Sequence, residues 1–151
     1  EIANDNSEGQ IVISGKTTDL EKLSSYLKVK KIKNIKLPVS APFHCSLMNK
    51  ATDIMKEELG KLRFKKGNNL LISNITADEV FNSDELKDLL TKQIENRVRW
   101  RESVNKMINE KVNKFIEIGP GKVLSGLIKR INKDVEVISI NTEEEIRNIK
   151  I

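Results

Sequence analysis

The chain has 151 residues and a mass of 17.2 kDa, which suits one ordinary domain with a hydrophobic core. Its composition, 38% hydrophobic and 32% charged, is typical of a soluble globular protein and argues against a disordered chain. No apolar run approaches the roughly 20 residues of a membrane-spanning helix, and the single cysteine excludes an internal disulfide and makes a cytoplasmic location the default expectation.

The start of the chain predicts a strand, a helix and a second extended segment. Residues 10–15 are rich in β-branched side chains and end at a glycine, so we expect a strand there. Residues 17–28 carry leucines on one helical face, with Thr18 or Asp19 as the capping residue. Residues 34–39 favour either a short strand, with Pro38 marking its edge, or an extended segment. Because the chain does not begin with Met, we also expect either a partial chain or one from which a tag or leader has been trimmed.

The middle of the chain predicts a long amphipathic helix, a strand and a second helix. Apolar residues recur at three- and four-residue spacing from Ser46 to Leu62, which indicates the helix. Residues 70–75 are a short apolar run that favours a strand. Ser83 or Asp84 is expected to cap the next helix.

The last third predicts strands that alternate with helices. An amphipathic helix begins at Trp100, and a strand ending at Ile118 leads through a Gly-Pro-Gly turn into another helix. Residues 135–140 predict a final strand, and Thr142 is the expected cap of a final helix. Alternation of this kind predicts an α/β fold with parallel strands.

His44 is the only histidine of the chain and lies beside its only cysteine, in the stretch SAPFHCSLM. It is a candidate for a catalytic base, a metal ligand or a packed core residue. Metal binding is poorly supported, because zinc takes three or four protein ligands and no CxxC, HxxxH or HExxH spacing is present. Its place between an extended segment and a helix favours catalysis, since α/β folds carry their chemistry at strand ends. Cys45 is expected to be a small packed residue rather than a nucleophile.

Two further features leave alternatives open. Gln93 falls in the apolar phase of its predicted helix, where an amide must find hydrogen-bond partners. It is either a helix-end residue bonded to nearby backbone or a group that orients something catalytic. The GPGK stretch at 119–122 lacks the glycine spacing of a phosphate-binding loop, so a tight strand-to-helix turn is the expected structure.

Lysines are concentrated in residues 28–36 and 61–66, and the formal net charge is +5. These stretches form either a solvated face or a docking surface for an acidic protein, because clustered positive charge accelerates association with anionic partners. Nucleic-acid binding is not expected, because few aromatic residues accompany the lysines to stack on bases.

Four ordered segments together resemble the malonyl-CoA:acyl carrier protein transacylases, the acyltransferases of fatty-acid synthesis. NDNSEGQIVISG at 4–15 resembles an asparagine-containing segment of that family, and LPVSAPFHCSLM at 37–48 resembles its catalytic-histidine segment. LTKQIENRVRWRESVNKM at 90–107 and FIEIGPGKVLSGLIKRI at 115–131 resemble two further family segments. The resemblance runs along essentially the whole chain.

The resemblance implies roles for particular residues. His44 is expected to be the general base and acid of a serine-histidine dyad, with a backbone carbonyl near Gln93 orienting its imidazole. Asn6 is expected near the substrate, and Asn4 is a weaker candidate. Phe43 is expected to favour malonyl over methylmalonyl groups. The implied substrates are malonyl-CoA and the phosphopantetheine thiol of acyl carrier protein, with no metal and no other cofactor.

The resemblance also implies that much of the enzyme lies outside this chain. The family's G-H-S-x-G nucleophile motif is absent, as are its oxyanion-hole loop and the arginine that binds the malonyl carboxylate. We therefore expect the C-terminal half of the enzyme, inactive alone, with the N-terminal half as its partner. The expected domains are part of a ferredoxin-like subdomain at 1–37 and part of an α/β-hydrolase-like core at 38–151. The alternative is a non-catalytic fragment that acts as a binding or assembly partner of an N-terminal half.

Overall fold

The structure is a computed structural model that describes residues 1–65 and 67–149. These residues contain both strands and helices, which alternate from α4 to α6, and one pair of strands is parallel, which confirms the predicted α/β class. The elements are β1 (Ile2–Ser7), β2 (Gln10–Ile13), α1 (Thr17–Val29), α2 (Asn49–Lys61), α3 (Ser83–Lys92), α4 (Trp100–Asn109), β3 (Lys114–Ile118), α5 (Val123–Ile131), β4 (Glu136–Ile140) and α6 (Glu143–Asn148).

A β-hairpin opens the chain, with β1 antiparallel to β2 and Gly9 in the turn at φ 71°. The sequence predicted β2 but not β1. The reason is that β1 turns Asp5 and Ser7 inward together with Ala3, so its buried face is mostly polar and shows no hydrophobic alternation. β1 also exchanges backbone hydrogen bonds with Val98, which ties residues 1–37 to the rest of the chain. The predicted division at residue 37 stays a prediction.

β3 and β4 form the predicted parallel pair, in register from Lys114 opposite Glu136 to Ile118 opposite Ile140. Helix α5 connects the two strands. The turn before it has Gly119 at φ 136° and Gly121 at φ 96°, values that residues with a side chain rarely adopt. The predicted tight strand-to-helix turn is therefore confirmed.

The predicted strand at 70–75 is wrong, and of the two alternatives for 34–39 the short strand is wrong. Residues 34–39 have no regular secondary structure, and residues 70–75 contribute only an isolated bridge between Ile72 and Glu79. Both runs have strand-like side chains, but a strand also needs a neighbour that pairs its backbone N–H and C=O groups. Among the described residues no continuous strand pairs with either run.

Helix starts were predicted within a few residues, and their capping residues less well. Asn82, not Ser83 or Asp84, caps α3, because its side-chain oxygen accepts a hydrogen bond of 2.8 Å from the Glu85 amide. Helix α1 follows Lys16 and has no side-chain cap, so the Thr18 and Asp19 predictions are wrong. The predicted Thr142 cap of α6 is confirmed, with a reciprocal capping box.

The main hydrophobic core lies where α4 and α5 pack against β3 and the residue before β4. Its fully or nearly buried members are Val104, Phe115, Ile128 and Val135. Partly buried apolar side chains surround this cluster: Trp100, Met107, Ile108, Ile131 and Val137. Close packing of this kind fixes the start of α4. The segment that joins α3 to α4 is therefore anchored at its α4 end.

Much apolar surface stays open in the described part of the chain. Helix α2 has the predicted amphipathic pattern but buries none of its residues, and Ile54 is 65% exposed. At the carboxyl end of β3, Ile118 is 72% exposed, and Val123 at the start of α5 is 71% exposed. No helix in residues 1–65 or 67–149 is both long and apolar enough to cross a membrane.

We expect Val104→Ala to lower the free energy of unfolding by about 2 kcal/mol, because it removes two methyl groups from a side chain that is completely buried. Val123→Ala removes the same atoms from an exposed position and is the matched control, with an expected change below ~0.5 kcal/mol. Urea unfolding of the three proteins measures both values. Equal losses would mean that the described core does not stabilise the chain.

Candidate active site

His44 is held by the end of α3. Its backbone N–H donates to the carbonyl oxygen of Ile94 over 3.1 Å, and its ring nitrogen Nδ1 lies 2.7 Å from the carbonyl oxygen of Gln93. The two predicted residues are thus in direct contact, although 49 positions separate them along the chain. The structure brings them together, and their catalytic roles stay predictions.

Gln93 is the residue that closes the carboxyl end of α3. Its own N–H completes the helix by bonding to the carbonyl of Leu89 over 3.0 Å. The last carbonyls of a helix have no partner within the helix, so the Gln93 carbonyl is available to the imidazole. This end of a helix also carries partial negative charge, which favours an N–H donor or a developing cation. Gln93 is thus a helix-end residue, and its side chain bonds to Asn74 rather than to nearby backbone; that it orients a catalytic group stays a prediction.

The contact with Gln93 determines which ring nitrogen of His44 carries a proton. A carbonyl oxygen only accepts hydrogen bonds, so Nδ1 must be the protonated nitrogen. In the neutral imidazole this leaves the Nε2 lone pair free to accept a proton. Among the described residues no protein group bonds to Nε2, and the side chain is half-buried. This is the arrangement that a general base requires.

The backbone of His44 is strained. Its φ of 58° lies in the left-handed region, which costs a residue with a side chain roughly 1–2 kcal/mol. Such strain persists only where surrounding contacts fix it, and it is concentrated at functional sites. The contacts from Gln93 and Ile94 are the ones that fix it here.

Cys45 packs as predicted and takes no visible part in the site. Its side chain is completely buried, and its S–H donates to the carbonyl oxygen of Pro42 over 3.1 Å. Among the described residues no group of three or more histidine, cysteine or acidic side chains is placed to bind a metal ion. His44 and Cys45 therefore do not form part of such a group.

The two predicted substrate-binding residues occupy different places. Phe43 directly precedes His44 and is 49% exposed, so its ring is available to a ligand. Asn6 is half-buried in β1, and no hydrogen bond in the described part of the chain joins it to His44. The weaker candidate Asn4 lies on the same strand at its bridge to Val98. Their roles stay predictions.

Sequence reasoning missed Asn74, which contacts Gln93, and Arg99, which holds Asn74. The side-chain amide of Asn74 donates to the side-chain oxygen of Gln93 over 3.3 Å, and the backbone N–H of Arg99 donates to the Asn74 carbonyl over 2.9 Å. Asn74 falls in a run predicted to be a strand, where an asparagine has no distinctive signal. Nothing in the sequence pattern pairs it with Gln93.

The lysines of the first basic stretch, including Lys30, Lys31 and Lys33, are exposed. In the second stretch Lys61 forms ion pairs with Glu57 and Glu58 on α2, and Lys66 lies outside the described residues. Arg63 and Lys65 of the second stretch are exposed as well, so both stretches keep positive charge that is available to an acidic partner.

No family model matches the chain. It is 43% identical over 147 residues to the malonyl CoA-acyl carrier protein transacylase of Bacillus subtilis, a match that covers 97% of the chain and 46% of that protein. The Escherichia coli K12 protein of the same name is 37% identical over 139 residues, covering 91% and 45%. The crystal structure of the Clostridium perfringens transacylase superimposes with a TM-score of 0.91 at 43% identity, covering 97% and 46%. Over nearly its whole length the chain is similar to malonyl-CoA:acyl carrier protein transacylases.

The chain spans about half the length of these transacylases and corresponds to their C-terminal half. Its helices and strands follow the transacylase α/β fold. A further solved structure, at 31% identity and a TM-score of 0.91, is a type II polyketide synthase acyl carrier protein in complex with its malonyl-transacylase. The family resemblance of the four sequence segments is thus confirmed.

We expect His44→Gly to be more stable than His44→Ala by about 1 kcal/mol, because glycine adopts the left-handed backbone of this position without a Cβ clash. Both variants lack the imidazole, so the difference between their stabilities isolates the effect of the left-handed backbone conformation. The same pair at Lys56, exposed in α2, is the control and should show the opposite sign, since glycine weakens a helix by about 1 kcal/mol relative to alanine. Thermal and urea unfolding measure both pairs; an alanine variant as stable as the glycine one would contradict the strained geometry.

Proposed function

We propose that this chain is the base-bearing part of a malonyl-CoA:acyl carrier protein transacylase of fatty-acid synthesis. His44 is its general base and acid, and the catalytic serine is supplied by polypeptide outside the chain. The single observation that carries the proposal is the 2.7 Å contact between His44 Nδ1 and the Gln93 carbonyl, which leaves Nε2 free, in a chain similar to these transacylases.

The proposed reaction is a two-step acyl transfer. Nε2 of His44 takes the proton of the serine hydroxyl as the oxygen attacks the thioester carbonyl of malonyl-CoA, and the imidazolium returns that proton to the departing CoA thiol. In the second step Nε2 takes the proton of the phosphopantetheine thiol, which attacks the malonyl-serine ester, and the serine oxygen recovers the proton. The covalent chemistry requires a positioned base and no resident cofactor.

The Gln93 carbonyl has the part that a carboxylate has in serine proteases. It accepts a hydrogen bond from Nδ1–H throughout the cycle. This bond fixes the ring orientation and stabilises the imidazolium that forms when Nε2 is protonated. Because a carbonyl carries only partial charge, its position relative to the ring must be exact. The end of α3 supplies the carbonyl, and contacts around Gln93 must hold it in place.

Phe43 and Asn6 are the proposed substrate contacts. Phe43 is adjacent to His44 and half-exposed, and a ring of this size beside the base leaves little room for an extra methyl group on the malonyl unit. This supports selection of malonyl over methylmalonyl. Asn6 is proposed to bind substrate from β1, the strand whose bonds to Val98 join it to the segment that follows Gln93.

The open apolar surface supports association with the remaining half of the enzyme. Exposed apolar side chains occur on α2 and at the carboxyl end of β3, represented by Ile54 and Ile118. Large exposed apolar surfaces mark interaction sites in soluble proteins. The same surface favours the second candidate function, a non-catalytic assembly partner, so a direct test of acylation must separate the two.

The first test is intact-mass analysis after incubation with malonyl-CoA. We expect no adduct on this chain alone, and one malonyl adduct when the N-terminal half of the enzyme is supplied. His44→Ala should slow adduct formation by at least ~10²-fold, the usual contribution of a general base. Ser46→Ala, two residues along the same turn, is the matched control and should acylate normally. A combined protein that never acylates would favour the assembly-partner function.

The second test concerns the basic stretch at residues 28–36. We expect charge reversal of Lys30, Lys31 and Lys33 in the combined protein to weaken binding of the acidic acyl carrier protein on the order of tenfold and to reduce its salt dependence, because exposed clustered charge steers association. Reversal of three exposed lysines elsewhere is the control: Lys56, Lys111 and Lys133. The affinity of each variant for acyl carrier protein, measured at two salt concentrations, tests this prediction. Equal effects of the two triple variants would mean that binding depends on the overall charge and not on residues 28–36.

A further inference from the structure

Asn74 contacts Gln93, the residue that orients His44. Its side-chain amide donates to the Gln93 side-chain oxygen over 3.3 Å, while the Gln93 backbone carbonyl faces His44 Nδ1 over 2.7 Å. Both Asn74 and Gln93 are half-buried, so water competes only in part for these bonds. Gln93 is therefore held at both its side chain and its carbonyl.

The loop that carries Asn74 is closed by its own hydrogen bonds. The backbone N–H of Ser73 donates to the Asp78 carbonyl over 3.0 Å, and the N–H of Ala77 donates to the Ser73 carbonyl over 2.9 Å. The buried Ser73 hydroxyl accepts a further bond from the Ile75 amide. Cross-links of this kind allow the loop little freedom, so Asn74 presents its amide from a fixed support.

Arg99 anchors this loop to the start of α4. Its backbone N–H donates to the Asn74 carbonyl over 2.9 Å, and its guanidinium donates to the carbonyls of Ile75 and Thr76. The guanidinium also bonds to the Glu102 carboxylate, and this bond lowers the pKa of Glu102 although burial works against it. Glu102 therefore stays charged at neutral pH and keeps Arg99 in place, so Asn74 is linked to the helix that fills the main core.

Gln93 needs such support because it lies at the helix end. Residues there have no following turn to restrain them, and helix ends fray. Its N–H is bonded to Leu89, and the Ile94 N–H, in the peptide plane that bears the Gln93 carbonyl, donates to Thr91 over 3.3 Å; this long bond alone leaves the plane room to tilt. The bond from Asn74 is the side-chain contact that does so among the described residues.

We propose that Asn74 is a positioning residue for His44: its amide holds the Gln93 side chain and so keeps the Gln93 carbonyl on Nδ1. Without that bond the carbonyl moves over a wider range, the Nδ1–H form of the neutral ring is favoured less, and Nε2 is less often available as a base. The kinetic consequence rests on the proposed function, but the orientation of His44 does not.

The first experiment measures directly which ring nitrogen of His44 carries the proton. His44 is the only histidine of these 151 residues, so ¹⁵N-labelled histidine gives one pair of ring signals from the chain. We expect wild type to show mainly the Nδ1–H form at pH above the histidine titration, and Asn74→Leu, which has similar volume and no donor, to show a clear shift toward the Nε2–H form. An unchanged pair of signals would overturn the proposal.

Two comparison variants separate positioning from stability. Asn82→Ala removes the cap at the other end of α3 and weakens the same helix without touching Gln93, so its ring signals should match wild type. Gln93→Leu keeps the backbone carbonyl but removes the acceptor of the Asn74 amide, so it should reproduce the Asn74→Leu shift. The double variant should shift no further. A shift in Asn82→Ala equal to that in Asn74→Leu would make the role merely structural.

The kinetic arm uses the combined protein. We expect Asn74→Leu to lower kcat for malonyl transfer about tenfold, a part of the ~10²–10⁴ that a general base supplies, with KM for malonyl-CoA unchanged. A rise in KM at constant kcat would overturn the proposal, because it would mean a substrate contact. If wild-type combined protein transfers no malonyl, the proposed function fails, and the ring signals alone decide the role of Asn74.

Discussion

The hydrogen bond between His44 Nδ1 and the Gln93 carbonyl is the constraint on which the rest of the site depends. It joins the turn before α2 to the end of α3, across 49 positions of sequence. A second bond, from the His44 amide to Ile94, holds the backbone in its left-handed conformation. The two bonds together explain why a strained residue is tolerated here: the end of α3 determines both where the imidazole lies and which of its nitrogens stays free.

Elements far from the histidine support that helix end. Val98, five residues after Gln93, exchanges backbone bonds with Ala3 and Asp5 of β1, and the next residue, Arg99, secures the loop of Asn74. Helix α4 begins immediately afterwards and buries Val104 completely in the main core. The segment between α3 and α4 is thus held by a strand and a packed helix, and this gives the Gln93 carbonyl a fixed direction.

The sequence predicted features whose signal is local. The glycine turn at 119–121 and the Thr142 cap are determined by single residues and their neighbours, and both were correct. The runs at 34–39 and 70–75 have strand-like side chains, but pairing partners decide strands, and the pattern does not report them. His44 and Gln93 were found through family segments, whereas Asn74 was missed, because a bond between two side chains 19 positions apart leaves no periodic trace.

A backbone carbonyl as the orienting group has a consequence for the side chain that bears it. Every residue at position 93 would supply a carbonyl, so the need for glutamine cannot come from that atom alone. A carbonyl dipole also attracts the imidazolium less strongly than a full carboxylate charge does, and its effect depends more steeply on distance and angle. The less charge the orienting group carries, the more its neighbours must fix its geometry. The hydrogen bond that the Asn74 side-chain amide donates to the Gln93 side chain meets that demand, and it gives the glutamine a role distinct from that of its carbonyl.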